Sequence, residues 1–178
     1  MRSPHAEKWQ EAVDAEFKGL EDSGCYIETV LPPHKRAIFS KWVLAVKTDS
    51  FGNLLKFEAH CTARGDMLEN DEFEDVSSPV AGWTSIKLFL ALTTLYNLTP
   101  LQLDINLAYL NAPLQEEIYM HPPPGSNTTP GKVWKLEKSL YGLKQSGKNW
   151  NELFTDVLKV VISTLTNSEK TPAYLHAS

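Results

Sequence analysis

Apolar residues along the chain follow two rhythms. Trp9, Val13, Phe17 and Leu20 recur at helical spacing. Ser3 is placed to cap that segment, Pro4 suits a first helical position and Gly24 a stop. The pattern predicts an amphipathic helix over about residues 1–23. Strand-like runs follow at 25–31 (CYIETVL) and 37–48 (AIFSKWVLAVKT). The DSFGN turn (49–53) should return the chain through 54–63 (LLKFEAHCTA) as the second arm of a hairpin. Ile86, Leu88, Phe89, Leu92 and Leu95 predict a largely buried helix over 84–97. Leu101, Leu103 and Ile105 then alternate with Gln102 and Asp104, the two-residue period of a strand with one buried face. The proline-rich stretch 121–131 can be neither helix nor central strand. Residues 132–136 (KVWKL) predict a short strand and 149–161 a helix. Mixed strands and helices with early hairpins indicate an α+β fold, and no repeat or long linker divides the chain.

Composition narrows this only a little. At 178 residues with ordinary apolar and charged content, the chain can bury a real core. A net charge of −5 argues against a dedicated nucleic-acid binder. The charge is uneven, however. Residues 66–75 hold six acids and no base, whereas residues 130–150 hold five lysines and one glutamate among aromatics. That second stretch reads either as a solvated helix face or as a surface for a phosphate backbone. Cys25 and Cys61 fit neither a metal-ligand spacing nor a disulfide framework. With no secretory h-region and no apolar run of spanning length, the expected setting is intracellular, cytoplasmic or nuclear, not secreted and not membrane-bound.

Asp104 is the residue with candidate chemistry. A lone aspartate at a strand end can cap the turn that follows, accepting backbone N–H bonds. It can equally be a hard carboxylate held at a sheet rim to carry Mg²⁺ and a triphosphate. Tyr109, five positions on, could return beside it as the floor of a sugar pocket.

The stretch QLDINLAYLNAPLQEEIYMHPPPG (102–125) resembles the first catalytic motif of copia-type LTR-retrotransposon reverse transcriptases, part of their Pol polyproteins. VWKLEKSLYGLKQSGKNW (133–150) is similar to the family's Leu-Tyr-Gly-Leu-Lys-Gln block. Residues 31–66 and FEDVSSPV (73–80) follow its fingers region in order, so the likeness covers about residues 9–160. The resemblance implies an incomplete right-hand polymerase, fingers plus partial palm, with residues 24–178 as the reverse transcriptase domain and helix 1–23 preceding it. It implies RNA-directed DNA polymerase chemistry: attack of a primer 3′-hydroxyl on the α-phosphate of a dNTP, with two Mg²⁺ ions in the intact enzyme and RNA template and DNA primer as partners. By the same resemblance Asp104 would be the first catalytic aspartate and metal ligand. Tyr109 would be the gate against a 2′-hydroxyl, Gln145 a pocket residue and Ile105 a backbone neighbour of the triphosphate. Lys56 and Arg64 could neutralise phosphate, or be ordinary exposed hairpin cations.

The sequence also departs from the family pattern. Glu58 and His60 stand where basic residues are expected, Ala112–Pro113 replaces a glycine-containing pair, and Ser146–Gly147–Lys148 replaces Ala-Pro-Arg. The second catalytic motif, Tyr-x-Asp-Asp, does not occur in residues 1–178, and neither does any Asp-Asp pair. The expectation is therefore a chain truncated before that motif, which does not polymerise DNA alone and leaves a strand edge and apolar residues facing water. A competing reading is a non-enzymatic relic that binds RNA or an intact polymerase partner. An unrelated α+β domain is the remaining alternative.

Overall fold

The computed structural model describes residues 4–68, 81–102 and 104–167. The first helix, α1, runs Ala6–Asp22, starting two residues later than Pro4 would set it. Gly24 follows it at φ +64°, a left-handed turn that glycine takes without strain. Strands β1 (Tyr26–Thr29), β2 (Ala37–Ile38), β3 (Ser40–Thr48) and β4 (Leu54–Ala63) come next, then α2 (Trp83–Leu95) and α3 (Ala108–Asn111). Strands β5 (Tyr119–Met120) and β6 (Val133–Leu136) precede the long helix α4 (Ser146–Asn167).

The strands form two sheets. One has four strands in the order β1-β6-β5-β2, with β2 and β5 parallel and the other neighbours antiparallel. The second is the β3–β4 hairpin, in register from Ser40↔Ala63 to Lys47↔Lys56. The Asp49 carboxylate closes its turn by accepting from the backbone N–H groups of Phe51 and Asn53 at 2.9 and 2.8 Å. The run 37–48 is therefore two strands, not one. The chain leaves the four-stranded sheet at Phe39, whose carbonyl accepts from Arg64 N–H at 2.8 Å, and enters the hairpin at Ser40.

The core lies between α1, the hairpin and the four-stranded sheet. Leu20, Cys25, Ile38, Cys61, Met120, Trp134, Leu136 and Leu140 pack together there. Phe17 joins α1 to it, meeting Trp42 edge-on at a centroid distance of 5.2 Å and Trp134 at 6.5 Å.

Two expectations fail beyond this core. The helix predicted over 84–97 forms as α2, but it is exposed: Trp83 is 77 %, Leu88 58 % and Phe89 52 % accessible. Helical periodicity establishes that the segment coils and says nothing of what covers it. The strand predicted over 101–105 is not formed at any of its described residues, and Leu101 is 86 % accessible. A strand exists by pairing, and no described segment pairs with this one. The acidic run 66–75 lies outside the described residues after Leu68, as does Ser3.

Candidate nucleotide site

Two glycines join the hairpin to the segment after β6. At the end of β4, Ala63 N–H donates to the Tyr141 carbonyl at 2.7 Å. At this crossing Gly65 faces the backbone of Gly142, and Gly142 faces that of Ala63. A Cβ on Gly65 would overlap the Gly142 carbonyl oxygen, and one on Gly142 would overlap that of Ala63 and stand 2.6 Å from Thr62 Cγ2. Gly142 also sits at φ +90°, which strains any other residue. This contact fixes the turn 141–145 against the hairpin, and with it Tyr141 and Gln145.

Tyr141 is the hub of the candidate site. Its ring meets Tyr109 of α3 edge-on at 4.8 Å and the imidazole of His60 on β4 at 5.7 Å. Burial pushes the Tyr141 hydroxyl above its ordinary pKa, and Tyr109, Glu16 and Asp104 add to the shift through their charge. Asp104 therefore lies within electrostatic reach of Tyr141. It is exposed, and among the described residues no hydrogen bond or ion pair engages its carboxylate. Ile105 beside it is exposed as well, and Leu107 enters α3 from a left-handed conformation at φ +51°.

Gln145 closes the turn. It is 2 % accessible, and both its amide oxygen and its amide nitrogen are buried without a hydrogen-bond partner among the described residues. Ser146 starts α4 and donates its hydroxyl to the Leu140 carbonyl at 2.6 Å. Ala112 is fully buried in ordinary extended backbone (φ −85°, ψ 125°), so the replacement of glycine in that region needs no special conformation.

The hairpin cations are engaged locally. Lys56 and Lys47 pair with Glu58 at 3.3 and 3.1 Å. Burial works to raise the Glu58 carboxyl, but the two lysines outweigh it and hold it below the ordinary range. Arg64 forms a two-pronged pair with Asp66 at 2.6 and 3.1 Å, an exposed contact that lowers the Asp66 carboxyl. The lysine-rich stretch 130–150 is not a single helix face. It runs through β6, the turn and the first residues of α4, with Lys135 paired to Glu137 and Lys148 near Glu152.

One residue of this environment escaped the sequence reading. Glu16 of α1 is buried, and its carboxylate accepts from Cys61 N–H at 3.0 Å and stands 3.6 Å from His60 Nδ1. Burial raises its carboxyl pKa against the lowering effect of those two partners. The signal was available: positions 13, 16, 17 and 20 share one helix face, and a carboxylate on an apolar face is conspicuous. Among the described residues no group of three or more His, Cys, Asp or Glu side chains could hold a metal, and no helix is long and apolar enough to cross a membrane.

Comparison with known proteins agrees with the motifs. The chain is 37 % identical over 162 residues to the retrovirus-related Pol polyprotein from transposon TNT 1-94 of Nicotiana tabacum, covering 89 % of this chain and 12 % of that polyprotein. It is 31 % identical over 150 residues to the Pol polyprotein from transposon RE1 of Arabidopsis thaliana, 81 % of this chain and 10 % of the relative. Identity to the Ty1-BL Gag-Pol polyprotein of Saccharomyces cerevisiae is 40 % over 129 residues, 70 % of this chain and 7 % of the relative. No solved structure matches the chain. The family profile described as reverse transcriptase (RNA-dependent DNA polymerase) matches residues 25–170, so the chain belongs to the reverse transcriptase family of copia-type Pol polyproteins.

Proposed function

We propose that this chain supplies the fingers and part of the palm of a copia-type reverse transcriptase, and that the surface around Tyr141 is one half of a deoxynucleotide pocket. The observation that carries this reading is the buried Gln145 amide, which has no hydrogen-bond partner among the described residues. Leaving such a group unsatisfied costs about 1–3 kcal/mol, which a ligand's polar edge arriving on that turn would offset. Tyr109 fits the role of sugar floor and 2′-hydroxyl gate, and the Ile105 backbone that of a triphosphate neighbour. Arg64 would exchange its exposed partner Asp66 for phosphate, since such pairs hold each other weakly, and the exposed Lys56 would reach phosphate while Lys47 stays on Glu58. Residues 24–178 form the domain in this reading, with the preceding helix packed on it.

Asp104 suits Mg²⁺, which takes one or two carboxylates and keeps several waters. Its carboxylate is exposed, which leaves its oxygens accessible to an ion. Bound there, Mg²⁺ would supply charge neutralisation at the phosphates. The family's two-ion arrangement needs further acids to bridge the ions, and residues 1–178 contain no Asp-Asp pair. The chain by itself is accordingly inactive in this reading, and works as part of a longer Pol polyprotein on RNA template and DNA primer. The exposed apolar α2 favours a second reading, a non-enzymatic domain that binds an intact polymerase.

The test is a titration of Mg·dTTP into the full chain, following the side-chain amide resonances of its glutamines. Gln145 responds in the wild type, dTTP is preferred to UTP, and Tyr109→Ala removes the preference. A Gln145 signal indifferent to saturating nucleotide would refute the pocket. Extension of oligo(dT) on poly(rA), abolished by Asp104→Ala, would refute the inactivity of the isolated chain.

A further inference from the structure

We infer that Glu16, on the helix that precedes the family-matched residues, is a positioning residue of the site, acting through His60 and Tyr141 to set the ring of Tyr109. This rests on the reading of that surface as a nucleotide pocket, but its test needs no nucleotide.

The argument is geometric. Glu16 Oε1 is fixed by Cys61 N–H at 3.0 Å, which points Oε2 at His60 Nδ1, 3.6 Å away. The other imidazole nitrogen faces Glu58 Oε2 at 3.8 Å. Glu58 is itself held by Lys47 and Lys56. His60 thus lies between two anchored carboxylates, one from α1 and one from its own strand. Its ring meets Tyr141 at a tilt, with centroids 5.7 Å apart, and Tyr141 meets Tyr109. Packed aromatic rings transmit displacement because close-packed interiors do not deform continuously. A residue that lies before the matched region 25–170 therefore reaches the gate through two side chains.

His60 Nδ1 is buried with no hydrogen bond as it stands, because 3.6 Å is too long. A small approach of α1 to β4 would complete it. With that approach the Nδ1–H tautomer would donate to Glu16, whereas the Nε2–H tautomer leaves Nδ1 as an acceptor and turns its N–H toward Glu58, 3.8 Å away. Glu16→Gln preserves the arrangement by the second route: its amide oxygen still accepts from Cys61, and its amide N–H donates to Nδ1. Glu16→Ala preserves neither contact.

The full chain, carrying ring-labelled tyrosine, is read by aromatic NMR without ligand. Glu16→Ala and His60→Ala should each move the ring resonances of both Tyr141 and Tyr109, while Tyr119, in a separate apolar cluster, stays in place. Glu16→Gln should return both rings to their wild-type positions. The His60 side chain is 38 % accessible, so its removal is expected to leave the fold intact and the test stands even where Glu16→Ala unfolds. Tyr109 resonances unchanged in folded His60→Ala would overturn the inference. So would a Glu16→Gln spectrum displaced as far as that of Glu16→Ala or, where that variant unfolds, of His60→Ala. A purely structural Glu16 would change the melting temperature and leave Tyr109 where it is.

Discussion

Helices α1 and α2 both carry enough apolar side chains to demand cover, and only α1 has it among the described residues. In α1 the apolar positions make one stripe, and Leu20 at its end is 1 % accessible against the core. In α2 they run around the whole helix, and Thr93 is its one buried residue. A stripe specifies a single docking face, so α1 finds one orientation on the hairpin and sheet. A helix that is apolar on all sides needs partners on all sides. The same contrast separates the hub at Tyr141, wedged by the glycine crossing, from Asp104 on the exposed segment that follows α2.

The sharpest way to break that contrast is at the crossing. Gly142→Ala puts a Cβ onto the Ala63 carbonyl at a positive φ. It should cost about 4 kcal/mol or more, read as a large fall in the denaturant midpoint or as failure to fold. Leu20→Ala should cost about 3 kcal/mol, through lost burial and the cavity left in the core. A loss below 1 kcal/mol in urea melts would mean that α1 is not part of the cooperative unit.

The core thiols test burial by pH. Burial pushes Cys25 and Cys61 up to about 12 from an ordinary 9.0. The unfolded chain then releases these protons before the folded one does. Stability is full below about pH 9 and falls as pH rises toward 12, by up to about 1.4 kcal/mol per unit for each thiol. The Cys25→Ala/Cys61→Ala pair should flatten that slope in melts between pH 8 and 10. The smallest effect belongs to α2. Leu88→Gln should change stability by about 0.5 kcal/mol or less, while reducing self-association in sedimentation runs. A core-sized loss there would show α2 to be covered after all.

Local periodicity made α1, β1, the β3–β4 hairpin, β6 and α4 legible, because turn chemistry and amphipathic spacing act within a few residues. Asp49 and Gly52 closing the hairpin turn are the clearest case. The break at Phe39, the parallel pairing of β2 with β5 and the exposure of α2 and 101–105 were not legible. Each depends on which distant segment lies alongside. Among the site residues, motif order pointed to Asp104, Tyr109 and Gln145 together. It gave no hint that Lys56 is paired with Glu58, or that Glu16 stands behind His60.

Sequence alone determined the family, through several motifs in fixed order, and the place and type of most elements, through apolar spacing, turns and glycine. Tertiary structure decided which apolar faces are covered, which charges neutralise each other and which rings touch Tyr141. The physical reason is range: backbone preference is set by neighbours in the chain, whereas burial and charge pairing are set by neighbours in space.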